Sequence, residues 1–247
     1  MKLKEDDTKE ENFLSIFMNV SSSGRDYKDD SFFFGKIAFL IGILTLAFTL
    51  VEDKIPWNFI FPLVFFWLLP FFIVNIVEKR DNTSLGFRLS RDKVPRYIGY
   101  TVAGYMFLAF LILIEGFLRL RYANEDIYHL VTSHGQIVFR LLIQIMGIGL
   151  PEELFFRGYL MTRLSEWLGE DKGLGLSSLF FGAAHFLSRI VQHGPQYHAS
   201  AFMTGFQTFL AGLVLGTQFR KTRSIIPPAI SHILLNLTQP IILGFLL

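Results

Sequence analysis

The sequence predicts an all-α, polytopic integral membrane bundle of about seven transmembrane helices. Two observations support this fold class. Hydrophobic residues make up 51% of the 247 residues, and charged residues make up only 18%. The apolar residues also occur in blocks of about 20, which is the length of helix that crosses the ~30 Å hydrocarbon core of a bilayer. Phenylalanine occurs 28 times, and Phe-rich blocks without a polar face are typical of helices that face lipid.

The N-terminal half of the chain is predicted to combine a tail with the first transmembrane helices. Residues 1–31 are polar and charged, and we expect them to form a cytosolic tail, because a cleavable signal needs an early apolar run. Residues 32–120 are predicted to be the N-terminal transmembrane region. A polar connector, 78–96, interrupts this region and contains six Lys and Arg residues. The apolar blocks around the connector cover 32–51, 57–77 and 97–120.

Residues 136–247 are predicted to form the catalytic transmembrane core. The core has four apolar blocks, which cover 136–167, 174–190, 200–219 and 226–247. A re-entrant segment in 191–199 would raise the total from seven crossings to eight. With seven crossings, the two ends of the chain lie on opposite sides of the membrane. The Lys and Arg residues that favour a cytosolic N-terminus lie in the tail, in the 78–96 connector, at Arg163 and Lys172, and in 220–223.

Several classes of chemistry are excluded by residues that the sequence lacks. The absence of cysteine excludes disulfides, thiolate nucleophiles and Cys-ligated zinc. No aspartate lies in a predicted span, which excludes an aspartyl di-carboxylate mechanism. The serines at 21–23 lie in the polar tail and do not predict a serine nucleophile inside the membrane. The formal net charge of +2 gives no reason to expect a nucleic-acid partner.

Two adjacent glutamates lie inside the fourth apolar block. A charged side chain at the middle of a membrane helix costs ~2.5–3.5 kcal/mol, so each is a candidate functional residue. Glu153 and Arg157 are four residues apart and share a helix face, which predicts an ion pair. Glu152 points about 100° away from Glu153 and is left for another task. Pro151 predicts a kink or a local opening where Glu152 begins. The alternative is an ordinary surface ion pair at an interfacial helix end.

Two later blocks carry further polar side chains. His185 follows the small residues 182–184, which allow close helix packing. A lone histidine at such a site is more often a packing residue, but a carboxylate on another span favours a catalytic role. His232 and Asn236 are four residues apart, so an imidazole and a carboxamide lie on one face and can both donate to one oxygen. The alternative for this pair is a hydrogen bond that only joins helices.

In combination, these residues resemble a known family. The motifs Glu-Glu-x-x-x-Arg, Phe-x-x-x-His and His-x-x-x-Asn follow in order on successive blocks, as in the CAAX protease and bacteriocin-processing (Abi) family, which includes prenyl-protein endopeptidases. The matching residues are Glu152, Glu153, Arg157, Phe181, His185, His232 and Asn236. Two further segments, 84–88 and 222–225, are similar to the family outside these motifs.

The resemblance implies an intramembrane glutamate endopeptidase that uses no metal and no cofactor. Glu152 and His185 would hold and deprotonate a water molecule, and Asn236, helped by His232, would stabilise the oxyanion. Glu153 and Arg157 would organise the helix. The resemblance further implies that the substrate is the C-terminal segment of a protein, prenylated at a C-a-a-X box, and that membrane lipid surrounds the enzyme.

Two rival functions remain open at this point. The same glutamates and histidines are residue types that bind zinc, although the sequence has no His-Glu-x-x-His helix. A non-catalytic scaffold, a bacteriocin self-immunity protein or a transporter would also carry intramembrane charges. Glu115, near the end of the third block, is a candidate for the same cavity. We expect it instead to be a helix-end carboxylate that reaches water.

Overall fold

The computed structural model describes residues 27–51, 62–123 and 137–246. Every regular element within these ranges is a helix. Most of the predicted tail, the turn after the first block, the start of the second block and most of the polar loop before the core lie outside the described residues. The described helices are α1 (Tyr27–Thr49), α2 (62–77), α3 (Val94–Leu118), α4 (Ile137–Met146), α5 (149–168), α6 (Glu170–His193), α7 (His198–Thr222) and α8 (Ile226–Gly244).

The predicted class of a helical integral membrane protein is confirmed. Five of the described helical segments are long and apolar enough to cross a membrane, and they contain α1, α3, α6, α7 and α8. The second predicted span corresponds to α2, which alternates π-helical and α-helical turns within the described residues. Helix α1 begins at Tyr27, so the last residues of the predicted tail are helical.

The fourth predicted span is not one helix. The chain breaks between α4 and α5 at 147–148, where Ile148 has φ −129° and ψ −79°. The Trp67 indole N–H donates to the Met146 carbonyl at 2.7 Å and so satisfies a backbone group exposed by the break. The opening predicted at Glu152 therefore lies four residues earlier. Pro151 occupies the first turn of α5, where a missing N–H is tolerated.

Helix α5 lies at the centre of the bundle. Its middle, Leu154–Met161, is π-helical, and all of its residues are buried. Such a stretch is frequent at functional sites, because the extra residue per turn redirects side chains. Helix α5 is not among the five described segments that are apolar enough to cross a membrane. Packed protein, rather than lipid, surrounds this helix.

Arg163 was predicted to be a basic residue of a loop, and this was wrong. It lies in α5 and is fully buried. Its guanidinium pairs with the Glu78 carboxylate at 2.5 Å and donates to the Ser84 hydroxyl at 3.2 Å. Beside it, Arg80 donates to Glu166 at 2.8 Å. A buried guanidinium needs a carboxylate partner, and this network anchors the connector that follows α2.

The connector packs against α5 and the α7–α8 turn. The Gly86 carbonyl accepts from the Ile225 N–H at 3.0 Å, and the Ser224 hydroxyl donates to the Arg88 carbonyl at 2.7 Å. Gly158 permits this packing, because a Cβ there would lie 2.6 Å from the Leu85 carbonyl oxygen. The segments 84–88 and 222–225, which resemble the family outside its main motifs, are thus in direct contact.

Helices α6 and α7 pack closely, as the small residues at 182–184 predicted. A Cβ at Gly182 would lie 2.6 Å from the Gly205 carbonyl oxygen. The turn between the two helices also corrects one expectation. Gly194 has φ +89° and ends α6, and a short 3-10 turn, Pro195–Tyr197, leads directly into α7. The segment 191–199 therefore contains the end of α6, a tight turn and the start of α7, and not a re-entrant crossing.

The connector and two of the helix turns share one end of the bundle. The connector contacts the α7–α8 turn, and ion pairs join the start of α6 to the end of α7, namely Asp171 to Arg220 at 2.6 Å and Glu170 to Arg223. Helix α6 has 24 residues, so its other end lies ~36 Å away at 1.5 Å per residue.

In the connector, the Thr83 backbone N–H donates to Asp81 and lowers the pKa of that carboxyl below its ordinary value.

Candidate active site

A cavity of about 340 Å³ lies between α3, α4, α5, α6, α7 and α8. Four of the residues predicted from the sequence line it, namely Glu152, His185, His232 and Asn236. Phe181, from the second motif, contributes its ring to the wall. The structure therefore brings the three motifs to one site.

Glu153 does not line the cavity. It is fully buried, and its Oε1 accepts from Arg157 Nη1 at 2.8 Å, as the four-residue spacing predicted. The Arg157 guanidinium also lies over the Phe181 ring, 4.4 Å from the centroid. A cation–π contact of this kind helps to offset the desolvation of a buried guanidinium.

Glu152 points into the cavity. Its side chain is 14% exposed, and its Oε2 lies 3.9 Å from His232 Nε2. This Oε2 atom is buried and accepts no hydrogen bond from any residue that the structure describes. A buried carboxylate oxygen without a donor is costly, so Glu152 has an acceptor position ready for a water molecule or a substrate group.

The orientation of His185 follows from one hydrogen bond. Its Nδ1 lies 2.9 Å from the Phe181 carbonyl oxygen, one turn earlier in α6. A carbonyl oxygen can only accept, so Nδ1 carries the proton and Nε2 of a neutral ring carries the lone pair. The imidazole packs edge-on against the Phe181 ring, with the centroids 4.5 Å apart. His185 therefore presents an acceptor to the cavity, where its ring forms part of the wall.

His232 reaches across from α8 to the glutamates of α5. Its Nδ1 lies 2.8 Å from Glu153 Oε1, so this carboxylate oxygen is shared by His232 and Arg157. Its ring also packs edge-on against Phe181 at 5.9 Å between centroids. Only the Nε2 side of His232 faces Glu152. Phe181 thus contacts Arg157, His185 and His232 and holds the site together.

Asn236 is held by helix α4. Its Nδ2 donates to Gln144 Oε1 at 2.8 Å, and its backbone carbonyl accepts from Arg140 Nη2 at 3.2 Å. The carboxamide has two N–H groups, so one remains for a reacting oxygen. Gln144 and Arg140 were not among the residues predicted from the sequence. Both could have been predicted as candidates, because they are polar residues inside the fourth apolar block.

Residues 133–238 match the family model for the type II CAAX prenyl endopeptidase, Rce1-like. The match covers somewhat less than half of the chain and includes every motif residue from Glu152 to Asn236. Over these residues the chain is similar to the Rce1-like family, and this match supports the resemblance to CAAX proteases. Comparisons with curated proteins and with solved structures gave no significant match.

At the family level, the Rce1-like match supports a CAAX-type intramembrane protease. The predicted motif residues lie inside the matched segment, and the cavity they share lies among apolar, membrane-crossing helices. Some of this cavity is built by α3, which precedes the matched residues. The Rce1-like segment therefore relies on the N-terminal half of the chain to complete its site.

Glu115 lines the same cavity, and the expectation that it reaches water was wrong. It is only 6% exposed and lines the cavity from α3. Arg119 Nε donates to Glu115 Oε1 at 2.9 Å, and Arg119 Nη2 donates to the same oxygen at 2.5 Å. The Thr204 hydroxyl from α7 adds a third contact at 3.0 Å. Packing against α7 removes this helix end from solvent.

A zinc site requires several ligating side chains that lie together around one ion. Within the described ranges, no three His, Asp or Glu side chains are grouped so that they could hold a metal ion. At the Rce1-like site, the Glu153 and His232 side chains are hydrogen-bonded to each other. The response of cleavage activity to metal chelators tests the zinc alternative directly.

Proposed function

We propose that this Rce1-like chain is a metal-independent glutamate endopeptidase that removes the C-terminal tripeptide from prenylated C-a-a-X substrates. The proposal rests on one observation, namely that two adjacent glutamates have different surroundings. Glu153 is fully buried and bound by Arg157 and His232. Glu152 faces the cavity with an oxygen that has no donor among the described residues. One carboxylate is structural, and the other is available for chemistry.

Glu152 and His185 supply the two acceptors that a nucleophilic water needs. Both line the cavity, and Nε2 of the neutral His185 ring carries a lone pair because Nδ1 donates to Phe181. A water molecule between them would donate one O–H to each. As its oxygen forms a bond to the scissile carbonyl carbon, Glu152 takes the proton as general base. The carbonyl π electrons move to oxygen and form the oxyanion.

Asn236 and His232 would stabilise that oxyanion. The second N–H of the Asn236 amide is available, because the first donates to Gln144. His232 can donate from Nε2 only when its ring carries both protons, because its Nδ1 is directed at Glu153 Oε1. When the tetrahedral intermediate collapses, the C–N bond breaks. Glu152 then returns its proton to the leaving amine.

The substrate class rests on the Rce1-like match. The C-terminal segment of a protein is expected to enter the cavity, and membrane lipid is expected to surround the helices that enclose it. The prenyl group would let a soluble protein reach an active site among membrane-crossing helices.

Cleavage assays with purified protein in detergent test the proposal. Farnesylated and unfarnesylated C-a-a-X peptides are compared, and the farnesylated peptide is expected to be cut. Glu152→Gln keeps the shape but removes the base, so kcat/KM is expected to fall by about 10²–10⁴-fold. Glu166→Gln is the matched control. It lies on the same helix, but its carboxylate pairs with Arg80 outside the cavity.

Each alternative outcome points to a different function. Activity that survives EDTA and phenanthroline would eliminate the zinc alternative, and loss of activity would favour it. Cleavage by Glu152→Gln at the wild-type rate would contradict the role of this glutamate. If neither peptide is cut, the substrate proposal fails. Retained biological activity in Glu152→Ala would then point to a scaffold or an immunity protein.

A further inference from the structure

A second charged pair lines the same cavity. Glu115 and Arg119, from α3 and the helical turn that continues it, are each 6% exposed. They face the cavity together with Thr204 and Gln207 of α7. None of these residues has a role in the proposed mechanism, and α3 lies before the segment that matches the family.

The charges around the cavity are distributed unevenly. Its ionisable lining residues, among those that the structure describes, are Glu115, Arg119, Glu152, His185 and His232. Arg119 is the one Arg or Lys in that described set. Arg119 is therefore the permanent cation in this described lining that an entering anionic group could bind, at the wall opposite in charge to Glu152. Arg189 on α6 is near enough to interact electrostatically with both Arg119 and Glu115.

The proposed substrate brings an anion of this kind. A C-terminal tripeptide ends in a free α-carboxylate, and an ionised carboxylate in a low-dielectric cavity is costly unless a cation binds it. A guanidinium is suited to a carboxylate because its planar N–H groups match the two oxygens. Glu115 holds the Arg119 guanidinium through Nε and Nη2, which fixes the plane of the group.

We propose that Arg119, oriented by Glu115, binds the free α-carboxylate of the substrate. This inference rests on the proposed endopeptidase function and adds a specificity residue to it. The Arg119 contact would set how far the peptide enters, and so which bond lies beside Glu152. The buried Gln207 amide lines the same part of the wall and can donate to the carboxylate.

Paired peptides test this contact. The two have the same farnesylated sequence, one with a free C-terminal carboxylate and one with a carboxamide. A charge-assisted hydrogen bond predicts that wild-type kcat/KM is about 10–100-fold higher for the acid than for the amide. Arg119→Gln is expected to bring this ratio close to one by slowing cleavage of the acid peptide. Glu115→Gln is expected to keep the ratio at or above its wild-type value, because it removes a competing carboxylate.

A control variant, a double variant and a binding measurement complete the test of Arg119. Arg121→Gln is the matched control, since Arg121 is exposed two residues further along the same turn, and its ratio is expected to be unchanged. If Arg119→Gln does not fold, the double variant Glu115→Gln with Arg119→Gln removes both charges together. Binding of the two peptides to Glu152→Gln, measured by fluorescence anisotropy, gives the same comparison without turnover.

The results separate the two proposals. A wild-type acid-to-amide ratio near one, or an unchanged ratio in Arg119→Gln, would overturn the role of Arg119 and leave the endopeptidase function intact. If wild type cuts neither peptide, the proposed cleavage of prenylated C-a-a-X substrates fails. Equal binding of acid and amide by Glu152→Gln would then overturn the carboxylate site as well.

Discussion

At the scale of single residues, two identical side chains have different surroundings because of helix geometry. Successive residues of a helix are rotated by about 100°. Glu153 therefore meets Arg157 and His232 in the protein interior, and Glu152 meets the cavity. Phe181 separates and supports the polar groups, since its ring contacts Arg157, His185 and His232. An aromatic ring at this point keeps the ionic groups apart without competing for their hydrogen bonds.

Gln144 is predicted to position Asn236. Gln144→Leu keeps a similar volume but removes the acceptor of the Asn236 amide. We expect kcat to fall by about 10–10²-fold with little change in KM, because a misaligned oxyanion donor acts mainly on the transition state. Gln144→Glu keeps an acceptor oxygen and is expected to restore most of the rate. Steady-state kinetics with the farnesylated peptide measure both variants.

A control variant identifies effects that are not specific to the site. Gln192→Leu makes the same change at an exposed position near the end of α6, where the side chain contacts Ser188. We expect it to leave kcat unchanged. An unchanged kcat in Gln144→Leu, or an equal loss in Gln144→Glu, would contradict the positioning role.

At the scale of elements, the site depends on one broken helix and one close helix pair. The break at 147–148 lets α4 approach α8, so that Gln144 reaches Asn236. The contact between Gly182 and Gly205 brings α6 against α7, and this places His185 beside the cavity. Apolar periodicity predicts neither arrangement in detail, because both depend on which helices are neighbours.

Gly182→Ala is predicted to destabilise the protein. Its Cβ would lie 2.6 Å from the Gly205 carbonyl oxygen, so the two helices must separate. Overpacking of this kind costs about 1–3 kcal/mol. Gly175→Ala makes the same change in the same helix, where no atom lies within 4 Å of the new Cβ. Thermal unfolding in detergent should show a lower Tm for Gly182→Ala but not for Gly175→Ala. Equal Tm values for the two variants would refute the close contact.

At the scale of the whole molecule, one end of the bundle carries most of the basic residues that the structure describes. The connector, the start of α6 and the α7–α8 turn meet at this end through hydrogen bonds and ion pairs. Positively charged loops favour the cytosolic side of a membrane. We therefore propose that this end, and with it the N-terminus of the chain, lies in the cytosol. Buried charge at this end, such as the pair of Arg163 and Glu78, contributes to packing instead.

Single cysteines test the orientation, because the natural chain has none. Lys93→Cys places a thiol in the exposed connector, and Gln196→Cys places one in the exposed turn after α6, at the other end. In sealed vesicles of known orientation, an impermeant maleimide is expected to label Lys93→Cys from the cytosolic side only. Gln196→Cys should be labelled from the opposite side. The reverse pattern would show that the chain is inserted the other way round.

The helical membrane class and the motif residues could be read from the sequence, because both depend on local spacing. Blocks of apolar residues predict helices whatever their neighbours are. A spacing of four residues places Glu153 beside Arg157 within one helix. Contacts between distant segments could not be predicted in this way. His232 meets Glu153 across 79 residues of chain, and Asn236 meets Gln144 across 92.

The sequence by itself determined that this protein is a helical membrane bundle carrying two adjacent glutamates, two histidines and an asparagine at helical spacing. Only the tertiary structure decided the environment of each side chain. Glu153 is buried between Arg157 and His232. Glu152 faces the cavity, and Glu115 and Arg119 lie in its wall, where they are largely shielded from water. The physical reason is that burial and hydrogen-bond partners depend on helix packing, which hydropathy and spacing along one helix do not specify.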